Sequence, residues 1–193
     1  RKPIFNQFSK VFVQKKPIQY VKMASNKIKY GLVGYGLNAF GHRMELKLHP
    51  RLRKHFEWIL GFDPGEKSKE KLEKHEQKGK IKVAKDFEDV LDTPELDAII
   101  IASPPHFHAD QAVAALESGI HVFSEVPMAI KEEDIERIIQ AEDESQATYL
   151  LGENYCYLSE VLYAGHLASS GKIGPTVYAE SEYLHDVTYR WRE

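Results

Sequence analysis

The chain has 193 residues, 42% hydrophobic and 28% charged, with 26 basic residues against 29 acidic ones for a formal charge of −3. That is ordinary globular composition, long enough for one domain with a real core and part of another, and it gives no reason to expect nucleic acid as a partner. No apolar run approaches the ~20 residues of a membrane helix, and the single Cys156 excludes an internal disulfide framework and suits a reducing cytoplasm.

Residues 1–22 carry Arg1, Lys2, Lys10, Lys15, Lys16 and Lys22 and no acid, so the remainder holds 20 basic against 29 acidic residues. The segment lacks the apolar stretch of a secretory signal. Because Met23-Ala24-Ser25-Asn26 reads as a natural start ahead of the first strand, residues 1–22 are expected to be a basic tail outside the fold. From Met23 onward strands and helices alternate. A buried strand over Ile28–Val33 runs into Gly34-Tyr35-Gly36-Leu37-Asn38-Ala39 and a helix to Leu48. A strand over Phe56–Phe62 ends at Asp63 and is followed by a Lys/Glu-rich, largely solvated helix over Glu66–Gln77. Then come a short strand Ile81–Ala84, an amphipathic turn Phe87–Leu91, and the buried strand Ala98–Ala102, which leads through Ser103-Pro104-Pro105 into a helix over Ala109–Ser118. Strand Ile120–Ser124, helix Glu132–Glu144 and strand Thr148–Gly152 complete the alternation, which specifies a parallel, doubly wound α/β sheet of Rossmann type over residues 23–152. Residues 153–193 are expected to begin a second α/β domain, with a helix over Ser159–Ser169 and a β-forming alternation over Val177–His185.

Gly34, Gly36 and Ala39 make a glycine fingerprint with Ala in the third place. The first glycine permits the tight turn, the second lets a pyrophosphate approach the backbone, and the small third residue lets the helix pack near the sheet. Phosphates would sit against the free N–H groups at the helix start, over Leu37 and Asn38. A strand–turn–helix also needs glycine for purely structural reasons. The acid at the end of the next strand adds weight: Asp63 is placed to accept the adenosine ribose hydroxyls and to repel a 2′-phosphate, favouring NAD over NADP. Asp63 also fits the start of an Asp-Pro-Gly turn, and the two roles are compatible.

Three further strand ends carry polar residues. Ser103, Pro104, Pro105, His106, Phe107 and His108 follow one buried strand; Glu125-Val126-Pro127 follows the next; Glu153-Asn154-Tyr155 follows the last. In a doubly wound sheet this is the edge where ligands bind. The prolines also serve simply to end a strand. The His-x-His pair could serve a metal, but His42, His49, His55, His75, His121 and His166 are scattered and read as surface or packing residues, so no metal site is expected.

The fingerprint, Ser103-Pro104-Pro105-x-x-His108, the 109–119 helix, His121-Val122, Glu125-x-Pro127 and Gly171-x-x-Gly174 together resemble the glucose–fructose oxidoreductase/inositol dehydrogenase/MocA family, from Lys27 to Asp186. The resemblance implies an NAD(P)-dependent oxidoreductase acting on a sugar, polyol or related hydroxy compound. It also implies a second domain whose open sheet binds substrate and often mediates homo-oligomers. In the family's dehydrogenases the second strand-end motif is Glu-Lys-Pro, whose Lys helps move the substrate proton; Val126 can neither donate nor accept one. Glu125-Val126-Pro127, Glu153-Asn154-x-x-Tyr157 and Tyr183-x-His185-Asp186 are similar to a branch containing NAD-dependent glycosidases, in which NAD is reduced and regenerated within one turnover. That likeness implies NAD contacts from Pro105–His108, Glu125, Val126 and Asn154, and sugar contacts from Tyr183 and His185. A non-catalytic nucleotide-binding module is the third alternative.

Overall fold

The computed structural model describes residues 27–184 and 186, so the basic tail, Met23 and His185 lie outside the described residues. Six strands form one all-parallel sheet: β1 (Ile28–Val33), β2 (Phe56–Phe62), β3 (Lys82–Val83), β4 (Ala98–Ile101), β5 (His121–Ser124) and β6 (Tyr149–Leu151). Their spatial order is β3-β2-β1-β4-β5-β6. The order reverses between β1 and β4, which makes that gap the topological switch point. The helices between the strands are α1 (Leu37–Leu48), α2 (Glu66–Glu76), α3 (Phe87–Leu91), α4 (His108–Glu117) and α5 (Glu132–Glu144). The expected Rossmann architecture is therefore the observed one. Short 3-10 turns at Leu52–Lys54 and Pro105–Phe107 are additions that the hydrophobic pattern does not announce.

Both sheet faces are buried, so the strands read as continuous apolar runs rather than alternating ones. One core joins Val33, Leu60, Phe62, Ile99, Ile101 and Val122 to Val90, Ala109, Ala112, Leu116 and Ile138 of α3, α4 and α5. The other joins Tyr30, Leu32, Tyr35 and Ile100 to Ala39 of α1 and Leu72 of α2. Strict alternation would put Trp58 and Leu60 of β2 on the same face. The register between β1 and β2 instead slips between Tyr30 and Gly31, pairing Tyr30 with Trp58 but Gly31 with Leu60. The extra residue turns Trp58 toward Tyr30 and the α1/α2 face, while Leu60 faces the opposite core. The Trp58 indole N–H donates to the Leu60 carbonyl at 2.6 Å across this irregularity.

The described residues up to Leu151 form one compact unit and those from Gly152 onward another. The second unit holds a 3-10 turn at Tyr155–Tyr157 and α6 (Ser159–Ser169), and none of its described residues is buried. The strand expected over Val177–His185 is not present among the described residues: 177–184 is irregular, with Val177 100% exposed. β-forming side chains make a strand only against a partner that completes the ladder, and no strand of this unit is described.

Candidate nucleotide site

The sheet register brings several of the candidate site residues to one edge. Val33 pairs with both Phe62 and Ile101, and Ile101 pairs with Ser124. Gly34, Asp63, Ala102 and Glu125 therefore each stand one residue beyond the same level of the sheet. Backbone hydrogen bonds continue the ladder there: Gly34 N–H to the Phe62 carbonyl and Ala102 N–H to that of Val33, both 2.8 Å, and Glu125 N–H to that of Ile101, 2.8 Å.

At the switch point the two glycines do different work. Gly34 has φ +83°, and a Cβ there would lie 2.5 Å from the Ser103 nitrogen and 2.7 Å from the Ala102 carbonyl carbon. The β1 turn thus packs directly against the chain leaving β4. Gly36 is the N-cap of α1 with φ −83°, and a Cβ there would meet nothing within 4 Å. The absent side chain leaves open space at a helix start that has no side-chain cap and no acid in its first turn. Such a start offers uncommitted N–H groups and the positive end of the helix dipole. Leu37 and Asn38 supply the first backbone groups of α1, and Ala39, 0% exposed, lets it sit against the sheet.

Asp63 holds two turns together. Its Oδ2 accepts from the Tyr35 N–H at 2.6 Å, and its Oδ1 accepts from the Gly65 N–H at 2.8 Å. The carboxylate is fixed beside the glycine turn by the Asp-Pro-Gly turn it starts, and each oxygen keeps further acceptor capacity. Tyr35, between the two glycines, is buried and stacks on Trp58 with centroids 5.8 Å apart. Burial pushes its phenol above the ordinary tyrosine range, opposed by the nearby Arg43 guanidinium.

Beyond β4, Pro104, Pro105, His106 and Phe107 are exposed on the rim, and the Ser103 hydroxyl donates to Gln111 Oε1 at 2.6 Å. His108 is different: it is 1% exposed, with Nδ1 2.8 Å from the Pro127 carbonyl and Nε2 2.7 Å from the Ser103 carbonyl. The ring braces the Ser103 turn against the Val126–Pro127 turn, and its nitrogens are occupied by those carbonyls rather than turned outward. The Val126–Pro127 peptide is cis, and Val126 is 43% exposed at the rim. Glu125 Oε1 lies 2.5 Å from His42 Nε2, with side chains 17% and 28% exposed, and the His42 ring packs edge-on against Phe123. His42, counted in sequence among the scattered histidines, is therefore tied to a site residue 83 positions away. No local spacing signals that contact; only the α1–β5 proximity makes it.

In the second unit, Asn154 precedes the 3-10 turn, and the Tyr155 hydroxyl donates to that of Tyr183 at 2.8 Å. Among the described residues no group of three or more His, Cys, Asp and Glu side chains is placed to hold a metal.

The sequence model described as "Oxidoreductase family, NAD-binding Rossmann fold", of the glucose–fructose oxidoreductase/inositol dehydrogenase/MocA group, matches residues 28–153. The chain belongs to this family. A glycosyl hydrolase family 109 protein from Shewanella baltica (strain OS155) is 30% identical over 107 residues, which are 55% of this chain and 23% of that protein. The apo scyllo-inositol dehydrogenase of Lactobacillus casei superposes with a TM-score of 0.68 at 28% identity, covering 79% of this chain and 44% of that one. The WlbA dehydrogenase of Bordetella pertussis, in complex with NADH and UDP-GlcNAcA, superposes with a TM-score of 0.69 at 25% identity, over 77% of this chain and 44% of that one. The chain thus spans under half of each solved neighbour and under a quarter of the curated relative. The family's cofactor fits the residues present: Gly36 leaves open space beside the α1 start, that start has no side-chain cap and offers N–H groups, and the Asp63 carboxylate is held next to the turn by the Tyr35 N–H. No helix of the described residues is long and apolar enough to cross a membrane.

Proposed function

We propose that this chain is the NAD-binding part of an enzyme that oxidises a hydroxyl-bearing carbon of a sugar or polyol. The observation that supports this most is the convergence of the open Gly36 turn, Asp63 and the Glu125–Val126 rim at one edge of the sheet. In this reading the Gly34–Ala39 turn and the α1 N–H groups bind the pyrophosphate. Asp63 takes the adenosine ribose hydroxyls and disfavours a 2′-phosphate. Pro104–Phe107, Glu125 and Val126 border the nicotinamide, with Ser103 and His108 shaping that border. Bound NAD supplies the hydride acceptor. His42 holds the Glu125 carboxylate in place, and Val126 fills space without taking part in proton transfer. Residues 153–193 then begin the substrate domain, where Asn154 reaches the cofactor and Tyr183 and His185 meet the sugar. That domain would also mediate self-association, and the protein would work in the cytoplasm.

A second reading is redox-neutral glycoside cleavage, in which the reduced cofactor is reoxidised before product leaves. Two observations favour it: Val126 stands where a proton-transferring Lys is expected, and the curated relative is a glycosyl hydrolase. The full-length protein, given NAD and a panel of free sugars and polyols, should accumulate NADH under the first reading. Release of nitrophenol from a nitrophenyl glycoside, with no net NADH, would replace it by the second. Neither signal from protein that binds NAD would overturn both and leave a non-catalytic nucleotide-binding module.

A further inference from the structure

Tyr35 stands between the two glycines of the turn, yet its side chain lies in the core rather than at the rim. It is 4% exposed and packs under α1 and α2 with Leu32, Ala39, Leu72 and Ile100. Its ring stacks on Trp58 of β2, with the planes 13° from parallel. Its hydroxyl lies 3.3 Å from His75 Nε2, near the end of α2, and the His75 ring in turn meets Trp58 edge-on with centroids 5.1 Å apart. The Tyr35 ring is thus gripped by β2 and α2, the two elements that Asp63 joins.

A buried aromatic ring is ordinarily core packing and nothing more. Two features go beyond packing here. The backbone N–H of the same residue donates to Asp63 Oδ2 at 2.6 Å, so the ring and the carboxylate are coupled through one Cα. Both neighbours of Tyr35 are glycines, which keep the most conformational freedom of any residue unless something else fixes them. Gly34 is fixed against the Ser103 backbone, whereas Gly36 has open space where a Cβ would stand. The Tyr35 ring therefore fixes the second end of the peptide that carries the N–H. Asp63 has one more anchor, the Gly65 N–H on its Oδ1 at 2.8 Å, but that bond is internal to the Asp-Pro-Gly turn and holds wherever the turn stands. The Tyr35 N–H, 28 residues away in the chain, aims the carboxylate at the glycine turn. A carboxylate that reads a ribose discriminates by position. Displaced, it accepts poorly from a 2′-hydroxyl and repels a 2′-phosphate less.

We propose, on the reading of Asp63 as the ribose-binding acid, that Tyr35 is a positioning residue for cofactor selection: its ring, clamped by Trp58 and His75, holds its own N–H on Asp63 and so sets the preference for NAD over NADP. The test compares the wild type with Trp58→Leu, Tyr35→Leu and Tyr35→Phe, by calorimetry with NAD and with NADP alongside urea unfolding. Trp58 supplies no group to the proposed nucleotide site, so Trp58→Leu acts there by releasing the Tyr35 ring. In Trp58→Leu and Tyr35→Leu the ratio of NAD to NADP affinity should fall by about three- to tenfold, as the hydrogen bond to Asp63 loosens. Tyr35→Phe keeps the stack and should stay nearer the wild-type ratio than either. Packing alone predicts a different result: lower stability, with both affinities reduced together and their ratio unchanged, and that outcome would overturn the proposal. Amide hydrogen exchange in the wild type reads the same link without any substitution. The Tyr35 N–H should be protected with and without NAD; fast exchange there would overturn the proposal even where a variant fails to fold. Wild-type protein that binds neither cofactor would sink the nucleotide-site reading and this one with it, whereas a full NAD preference retained in folded Trp58→Leu and Tyr35→Leu would sink this one alone.

Discussion

Gly34 and Gly36 are two residues apart and should fail in different ways when given a methyl group. At Gly34 the added Cβ would lie 2.5 Å from the Ser103 nitrogen and 2.6 Å from its Cα, both backbone atoms of the neighbouring crossover, in a residue with φ +83°. The left-handed conformation costs about 1–2 kcal/mol for a non-glycine residue, and forced overpacking costs about 1–3 kcal/mol more. The sum, about 2–5 kcal/mol, is a large share of the roughly 5–15 kcal/mol that holds a domain together. At Gly36 the Cβ meets nothing within 4 Å and φ is −83°. Gly36→Ala should therefore lose only about 1 kcal/mol or less, through the poorer N-cap. Its methyl group instead enters the space a pyrophosphate would occupy. Urea unfolding followed by circular dichroism, paired with NAD titration calorimetry, separates the two. Gly34→Ala should shift the unfolding midpoint strongly, while Gly36→Ala should unfold near the wild type and bind NAD weakly. A Gly34→Ala protein as stable as the wild type, or a Gly36→Ala protein with normal NAD affinity, would refute the assignment.

Asp63→Ala removes the acceptor of the Tyr35 and Gly65 N–H groups; it should cost about 1–3 kcal/mol of stability, weaken NAD and narrow its preference over NADP, as read by calorimetry with both cofactors. His42→Leu leaves the Glu125 carboxylate without its ring partner. NAD affinity should fall by about three- to tenfold, and an unchanged affinity would show that Glu125 needs no such support. Burial raises the Tyr30 phenol from 10.0 to about 12. The unfolded chain therefore gives up this proton first, and the contribution of Tyr30 to stability is complete below about 10 and lost as pH rises toward about 12. Alkaline urea titrations should show that loss, and Tyr30→Phe should flatten it. Val126→Lys in the full-length protein places an ammonium at the rim. Under the redox-neutral reading it should weaken NAD, by about tenfold or less because the position is only partly enclosed, together with glycoside cleavage; sugar-dependent NADH formation that instead increases would favour the dehydrogenase reading.

The sequence by itself determined the sheet, because its evidence is local. Runs such as Ile28–Val33 and Ala98–Ile101 are short, mostly apolar and bounded by turn-forming residues, as strands buried on both faces are, and the glycine turn and the strand-end acid are covalently next to the strands they terminate. Helix α5, with Ile138 and Ala141 on one face, is bounded as the pattern specifies. What the tertiary structure decided is everything that depends on contact between distant elements. The ring of His108 turns inward because two carbonyls, one of them 19 residues away, converge on it. His42 meets Glu125 only because α1 crosses beside β5. Val177–Leu184 has β-forming side chains but no described partner strand, and propensity cannot supply one. The clearest case is Trp58. Period-two reading puts it on the face of Leu60; one extra residue in β2 turns it onto the α1/α2 face. There it becomes the platform on which Tyr35 stacks. A register slip is set by how two strands settle against each other, so a single strand's sequence does not encode it.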